Sequence, residues 1–411
     1  MKKHIVIVGA GFAGLTTALK LSKNWMLERK GYDIILVDRH HHHLFTPGLY
    51  EIAAVPKDYA SDHRLIGSAL IAVSEIMRGR RIRFICDEFI NLDTTRRRIV
   101  LAERGILSYE YLVLALGAEN NYFNIPGLKE YAIPLKTGDD AVLLRNAVEA
   151  AVQKKSSLKI VIGGAGSAGV ELAAELVNFI STLKAGPALQ KNRDVQILVV
   201  ESGPEILSGF NRWAVRLART RLSRLGVAVK TENTIIAASP KDITMRSGER
   251  LPYDILVWTG GVRGPQTLSG LGLPLSPKGT LIVNSAMRVE GAGGRVFAVG
   301  DNAWFIRPGT KKPLAWNVPV AEAEARHAAR EIVRAVSGKP PNPFRPMRRY
   351  PFVIALGKKY ALADLTLIRF SGPLGWCVKQ FVELNYLLFL LPWPRAFALW
   401  WKNIRLYSSN D

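Results

Sequence analysis

The sequence predicts an α/β chain with two doubly wound parallel-sheet domains, one inserted into the other, and amphipathic helices at its C-terminal end. Three observations predict it: the strand, glycine turn and helix of "IVIVGAGFAGLTTALKLS"; the return of that pattern in "LKIVIGGAGSAGVELAAEL"; and a basic, tryptophan-rich ending, "PLGWCVKQFVELNYLLFLLPWPRAFALWW". A chain of 411 residues is long enough for two or three domains. Its net charge of +22 draws it towards phosphate-rich surfaces, nucleic acid or anionic lipid, without choosing between them. Two cysteines, Cys86 and Cys377, are too few for a disulfide framework or a four-thiolate metal site and fit a reducing compartment. Redox chemistry in such a chain must come from a cofactor.

The first strand runs into Gly9, Gly11 and Gly14. The first glycine permits the tight turn, the second lets the backbone approach a pyrophosphate, and the third lets the helix pack on the strand. Basic residues before the apolar run imitate a secretory signal, but no small-residue cleavage site follows, so the expectation is a strand and no signal peptide. The next strand, "YDIILVDRH", ends in Asp38, placed to accept a hydrogen bond from a ribose hydroxyl. Together these features predict a Rossmann-like nucleotide site rather than a plain capping loop.

The middle block repeats the design with Gly164, Gly166 and Gly169, and its following strand, "VQILVVESG", ends in Glu201. An acid there suits the free 2′-hydroxyl of NADH and repels the 2′-phosphate of NADPH. "YEYLVLALGA" and "YDILVWTGGVRG" close the two blocks at Gly117 and at Gly260 with Gly261, as strands returning to the sheet before the chain crosses between domains. "GRVFAVGDNA" then supplies Gly300 and Asp301 at a strand end that opens a helix, where a carboxylate can hold a flavin's ribityl chain and helix amides its pyrophosphate.

With "HHLFTPGLYEIA", "PLKTGDDAVLLRNAV", "ESGPEIL", "VWTGGVRG" and "VFAVGDNA" added to the two glycine patterns, nearly the whole chain resembles the two-dinucleotide-domain flavoprotein reductases. More closely it resembles the type II NADH dehydrogenases, single-chain NADH:quinone oxidoreductases of the membrane surface. The resemblance implies noncovalent FAD held by residues 1–117 and 259–337, an NADH-binding domain at 118–258 and a membrane-associating region at 338–411. FAD contacts are expected from Gly9, Gly11, Phe12, Ala13, Gly14, Asp38, Arg39, His43, Pro47, Ala115, Gly117, Gly300 and Asp301. NADH contacts are expected from Gly164, Gly166, Ser167, Gly169, Glu201 and Gly260. Glu171 resembles the family glutamate beside the nicotinamide; it reads equally as a first-turn glutamate stabilised by the helix dipole.

The chain departs from the family at the quinone-side helix, which usually carries two glutamines four apart after a proline. Here "NVPVAEAEARH" offers Pro319, Glu322 and Arg326. A Glu, Arg pair at that spacing reads either as a surface ion pair or as part of the quinone site, which the resemblance extends to Lys379. The residues expected to carry catalysis are therefore Glu171, Glu322 and Arg326.

The four consecutive histidines His40, His41, His42 and His43 alternate sides of an extended strand and do not converge as metal ligands do, so no metal site is expected. A sulfide-oxidising relative would need a cysteine pair beside the flavin, and neither Cys86 nor Cys377 suits. The basic runs "MRGRRIRF" and "TTRRRIVL" read as solvated faces or guarded strand edges.

From residue 339 on, eleven Lys and Arg stand against three Asp and Glu, and Trp376, Trp393, Trp400 and Trp401 are four of the nine tryptophans. At ~100° per residue, Lys379, Gln380 and Glu383 share one side of the first tail helix, while Phe381, Val382 and Leu388 lie on others; "PWP" at 392–394 breaks it. In the second, Phe397, Trp400, Trp401 and Ile404 share a face, with Arg395, Lys402 and Arg405 largely opposite. That is the pattern of a helix lying in a membrane interface; the other reading is a helix packed on its own core or on a dimer partner. The uncharged run 384–394 falls short of the ~20 residues needed to cross a bilayer.

The expectation is a peripheral enzyme on the cytoplasmic face of the membrane, docked on anionic lipid, passing two electrons from NADH through FAD to a membrane quinone without pumping protons. No nucleic-acid partner is expected, and the oligomeric state, a homodimer included, stays open. The rival readings are a soluble NADH-dependent reductase of a small electron-carrier protein and an NADH-sensing flavoprotein resembling apoptosis-inducing factor.

Overall fold

The computed structural model describes residues 3–185 and 194–407. They pack as two compact units, the first formed by the chain up to His43, Ile71–Glu119 and Val262–Tyr350, the second by Leu44–Leu70, Asn120–Gly261 and the chain from Pro351 on.

The first unit is built on five parallel strands in the order Val296–Ala298, Tyr111–Leu114, Lys3–Val8, Tyr32–Asp38, Arg83–Cys86. Val8 lies opposite both Val37 and Leu114, so the central strand is paired along both edges. Ile5, Val6, Ile7 and Val8 are buried without alternation, because a parallel sheet is covered on both faces; this is why the segment reads as a continuous apolar run. From this strand the chain first fills one side of the sheet and then the other. The carboxyl ends of Lys3–Val8 and Tyr111–Leu114 thus flank a switch point, the place where open α/β sheets bind ligands. Helices Phe12–Ser22 and Val318–Val336 pack on each other in this unit, and Phe89–Asp93, Arg98–Leu101 and Gly105–Ser108 add a small antiparallel sheet.

The second unit repeats the scheme with parallel strands in the order Ile133–Pro134, Ile255–Trp258, Ser157–Gly163, Asp194–Val200, Ala228–Lys230. Helix Gly138–Lys154 opens on a capping box in which Thr137 Oγ1 accepts from Asp140 N and the Asp140 carboxylate accepts from Thr137 N. Such a cap stabilises its helix by about 1 kcal/mol. From Pro351 an antiparallel meander of Phe352–Ala355, Ala361–Asp364 and Arg369–Gly372 leads into helices Pro373–Leu390 and Trp393–Tyr407. One apolar cluster joins Ile160 and Ile162 of the central strand, Leu172, Leu176 and Phe179 of helix Ser167–Ala185, and Ile354, Leu356 and Leu362 of the meander. Each such side chain contributes roughly 1.5–3 kcal/mol by burial. The meander is therefore part of this unit's own core. The sequence reading set 118–258 and 338–411 apart, whereas the residues from Pro351 on, and Leu44–Leu70 as well, pack in one unit with Asn120–Gly261.

Helix Pro373–Leu390 turns both kinds of residue inward: Leu384, Tyr386, Leu387 and Leu390 are buried, and so is a polar pair in its first half. Lys379 and Gln380 are each 7% exposed, while Leu374 and Phe381 are 64% and 67% exposed. On the last helix Trp393, Phe397 and Trp401 are exposed, but Trp400 and Ile404, expected on the same face, are half-buried. The reason is a hydrogen bond from Trp400 Nε1 to Gln380 O at 3.0 Å, which turns that ring onto the neighbouring helix. Among the described residues no helix is long and apolar enough to cross a membrane.

Candidate functional site

In the first unit the glycine turn leaves the central strand at its carboxyl end. Gly9 has φ +108°, and a Cβ there would overlap Ala115 O; a Cβ on Gly14 would overlap Gly9 O. A Cβ on Gly11 would meet no atom within 4 Å, so the backbone is open on the side a pyrophosphate approaches. Asp38 holds the loop from the next strand. Its Oδ2 accepts from Ala10 N at 2.5 Å and its Oδ1 from His40 N at 2.7 Å, which fixes the carboxylate while leaving lone pairs for a ribose.

Of the four histidines only His43 is buried. Its Nδ1–H donates to Ala10 O at 3.0 Å, and its ring meets Phe12 edge-on at 5.0 Å. Burial pushes its pKa down to about 4, so the imidazole is neutral. Arg39 points outward to His40 and Glu88. Ala115 is buried at the end of Tyr111–Leu114 with Gly117 just beyond, whereas Pro47 is exposed and belongs to the second unit.

Gly300 and Asp301 lie in a 3-10 turn after Val296–Ala298, where sequence reading placed the start of a helix. The helix N-terminus at this end of the sheet is that of Phe12–Ser22, whose first residues are Phe12, Ala13 and Gly14 and whose first turn carries no acid. Two residues that sequence reasoning missed fix the turn. Asn302 Nδ2 donates to Leu114 O at 3.0 Å, and Gly300 N donates to Glu324 Oε2 at 2.8 Å. Glu324 is 3% exposed; burial raises its pKa to about 8, against the pull of the Gly300 N–H and with the repulsion of Asp301. A periodic signal could have found it: Ala321, Glu324, Ala325 and Ala328 lie on one buried side of helix Val318–Val336. The open Gly11, the anchored Asp38 and the acid-free helix start fit an FAD.

The second unit carries the same construction. Gly164 has φ +103°, a Cβ on Gly169 would overlap Gly164 O, and a Cβ on Gly166 would meet nothing within 4 Å. Glu201 Oε2 accepts from Ala165 N at 2.8 Å and Oε1 from Gly203 N at 2.8 Å, as Asp38 does in the first unit. Ser167 begins the helix and is half-buried, and Gly260 backs the turn, its Cα 2.5 Å from where a Gly164 Cβ would stand. Thr259, missed from sequence, bridges Gly163 O and Gly164 O through Oγ1 at 3.1 and 3.0 Å. These residues fit a second dinucleotide.

Glu171 lies past the first turn of helix Ser167–Ala185, which holds no acid, so the reading of Glu171 as a first-turn glutamate fails. Its Oε1 accepts from Ala355 N at 3.1 Å. Burial lifts its pKa to about 8, relieved in part by that N–H and by Lys379. Lys379 Nζ meets Glu51 Oε1 at 2.8 Å and Glu383 Oε1 at 2.6 Å. Burial works against the ammonium, but the carboxylates of Glu383 and Glu51 outweigh it and hold Lys379 above its ordinary value. Tyr50 and Tyr407 border the same group, their hydroxyls held neutral by burial and by Glu51, and Tyr407 Oη shares a hydrogen bond with Ser68 Oγ at 2.7 Å. Four carboxyls, Glu51, Glu171, Glu175 and Glu383, thus surround Lys379 and Tyr50. Glu51 carried no local signal, since its partner is 328 positions away.

In the first unit Glu322 and Arg326 pair with each other at 2.5 Å, one turn apart on helix Val318–Val336, with Pro319 in its first turn. Such a pair contributes a few tenths of a kcal/mol, ~0.3–0.5.

A model of the pyridine nucleotide-disulphide oxidoreductases matches residues 3–325. The chain is 27% identical over 349 residues to the type II NADH:quinone oxidoreductase of Staphylococcus haemolyticus, covering 82% of this chain and 84% of that one. It is 29% identical over 396 residues to the demethylphylloquinone reductase of a Synechocystis species, covering 93% and 92%. The NDH2 of Plasmodium falciparum, solved in complex with NADH, shares the fold with a TM-score of 0.82 at 18% identity, 99% of each chain being covered.

Proposed function

Since the chain belongs to the pyridine nucleotide-disulphide oxidoreductase family, we propose that it is an FAD-dependent NADH:quinone oxidoreductase of the membrane surface. The observation that carries this reading is the presence, in one chain, of two glycine loops clamped alike by Asp38 and Glu201, with a helix, Pro373–Leu390, that leaves Leu374, Phe381, Val382 and Leu388 exposed. The names of the relatives in Staphylococcus and Synechocystis support a quinone acceptor.

In this reading Gly9, Gly11, Phe12, Ala13, Gly14, Asp38, His43, Ala115, Gly300 and Asp301 hold FAD, with Asn302 and Glu324 positioning the turn. FAD, when bound, supplies the two-electron relay between a nicotinamide and a quinone. Gly164, Gly166, Ser167, Gly169 and Gly260 cradle NADH, and the Glu201 carboxylate accepts from its ribose and turns away a 2′-phosphate. Glu171, with its pKa near 8, holds a proton at neutral pH, and Lys379 sets how tightly it is held. Pro319, Glu322 and Arg326 stand on the quinone side, their pairing replacing the glutamines of the usual family pattern. Phe381, Leu374, Trp393 and Trp401 enter the interface of an anionic membrane, on its cytoplasmic face.

The test is anaerobic and has two stages: one equivalent of NADH is added to the detergent-solubilised flavoprotein, then a quinone analogue, while flavin absorbance is followed. Rapid bleaching by NADH and rapid recovery with quinone are expected. Bleaching without recovery would overturn the quinone acceptor and favour a protein electron carrier.

A further inference from the structure

We infer that the second unit carries a lipid-contacting surface separate from the tail helices: the apolar hairpin tip at residues 365–368 and an arginine face on helix Arg212–Arg224, docking together on an anionic bilayer. This extends membrane attachment to a surface outside the tail, and its test separates the two.

The tip joins strands Ala361–Asp364 and Arg369–Gly372. Leu367 is 95% exposed and Ile368 58%, with Leu365 exposed beside them. The turn satisfies two of its own backbone donors: Leu365 N donates to Ile368 O at 2.9 Å and Thr366 N to Asp364 Oδ1 at 2.7 Å. A loop partly closed in this way suits the headgroup layer, where the remaining donors of the turn meet water and phosphate.

Asp364 fastens the tip to the helix. Its Oδ2 accepts from Arg369 Nε at 2.9 Å and from Asn211 Nδ2 at 2.8 Å. Asn211 also caps the helix, accepting from Ala214 N at 3.0 Å, and the Arg369 guanidinium lies 5.6 Å over the Trp213 ring. Helix Arg212–Arg224 carries five arginines and no acid. Arg221 turns inward to Leu356 O and Gly357 O, whereas Arg212, Arg216 and Arg219 are exposed and fall within a ~60° sector at helical spacing. Guanidinium groups pair with phosphate through two parallel hydrogen bonds. An apolar wedge rigidly joined to a row of arginines, on a chain of net charge +22, matches a sheet of anionic headgroups over hydrocarbon.

Full-length protein is mixed with phosphatidylcholine vesicles, with and without phosphatidylglycerol, and the bound fraction is read by co-sedimentation. R212Q/R216Q/R219Q is expected to lose about 100-fold in affinity for the anionic vesicles and little for the neutral ones. L367N/I368N loses about tenfold on the anionic vesicles. Both retain NADH oxidation with ferricyanide as acceptor. If both bind as the unsubstituted protein does while F381N/W401N loses binding, the inference is wrong and membrane attachment by the tail stands. If the tip variant changes only the oligomeric state of lipid-free protein, the tip is a contact between copies, and the inference also falls. A fluorophore on L367C in a C86S/C377S background gives an independent reading, brightening on anionic vesicles if the tip inserts and staying unchanged if it does not.

Discussion

Replacing Lys379 with methionine removes the ammonium shared by Glu51 and Glu383 at 2.8 and 2.6 Å, with little change in volume. What remains is a set of enclosed carboxyls, Glu171 among them, that have lost the ammonium between Glu51 and Glu383. Breaking a buried ion pair by removing one partner costs about 3–5 kcal/mol. The partial solvent contact of Glu383 sets the expected loss at the lower end, about 3 kcal/mol. The stranded carboxyls can escape by taking up protons, so the loss depends on pH. A carboxyl whose folded pKa is raised binds more protons folded than unfolded, and stability then falls as pH climbs from the unfolded value, about 4.3 for glutamate, to the folded one. The unsubstituted protein already has Glu171 at about 8 on that slope; the variant adds the two former partners of Lys379. K379M should therefore lie close to the parent near pH 5 and fall behind by about 3 kcal/mol near pH 8. Urea unfolding read by tryptophan fluorescence at pH 5, 6.5 and 8 measures the gap. The triple variant K379M/E51Q/E383Q, with no charge to strand at either former partner, recovers most of the loss at pH 8. An equal gap at pH 5 and pH 8, or a triple variant no more stable than K379M, would refute the reasoning.

Three further outcomes are expected. G9A, whose methyl group would overlap Ala115 O, loses both stability and flavin; G11A, whose methyl group faces open space, keeps its stability and loses flavin, as thermal melts and the flavin-to-protein absorbance ratio after gel filtration will show. E201Q narrows the preference for NADH over NADPH about tenfold or more, through KM rather than kcat, because it removes the charge that repels a 2′-phosphate. E324A leaves the buried Gly300 N–H without its acceptor, at a cost of about 1–3 kcal/mol, and sheds FAD on dilution; E324Q keeps an acceptor there and retains it.

The two nucleotide loops were legible because their demands are local. A turn that needs positive φ, a backbone that needs open space and an acid at the end of the next strand are all written within about forty positions, Gly9 to Asp38 and Gly164 to Glu201. Glu324 and Glu322 are near neighbours on one helix, and sequence reading chose the less buried one; the choice depended on which side of the helix faced the core, which an alanine-rich face would have revealed. Asn302, Thr259 and Glu51 act on partners 188, 95 and 328 positions away, and no spacing rule reaches that far. The shared side of Lys379, Gln380 and Glu383 was visible on a helical wheel. Periodicity separates a helix into faces without saying which is inward, so the burial of Lys379 and Gln380 emerged only with the fold.

The group around Lys379 also sets an order of events during synthesis. Glu51 and Ser68 leave the ribosome before Lys379, Asn403 and Tyr407, which complete their surroundings from 328, 335 and 339 positions further along the chain. At about 5–20 residues per second they arrive tens of seconds later. Until then the nucleotide-binding half containing Glu201 is missing a wall, and a ribosome that stops short leaves it open for good. A stop codon placed ahead of Lys379 is therefore expected to damage NADH handling, whatever else the tail helices do.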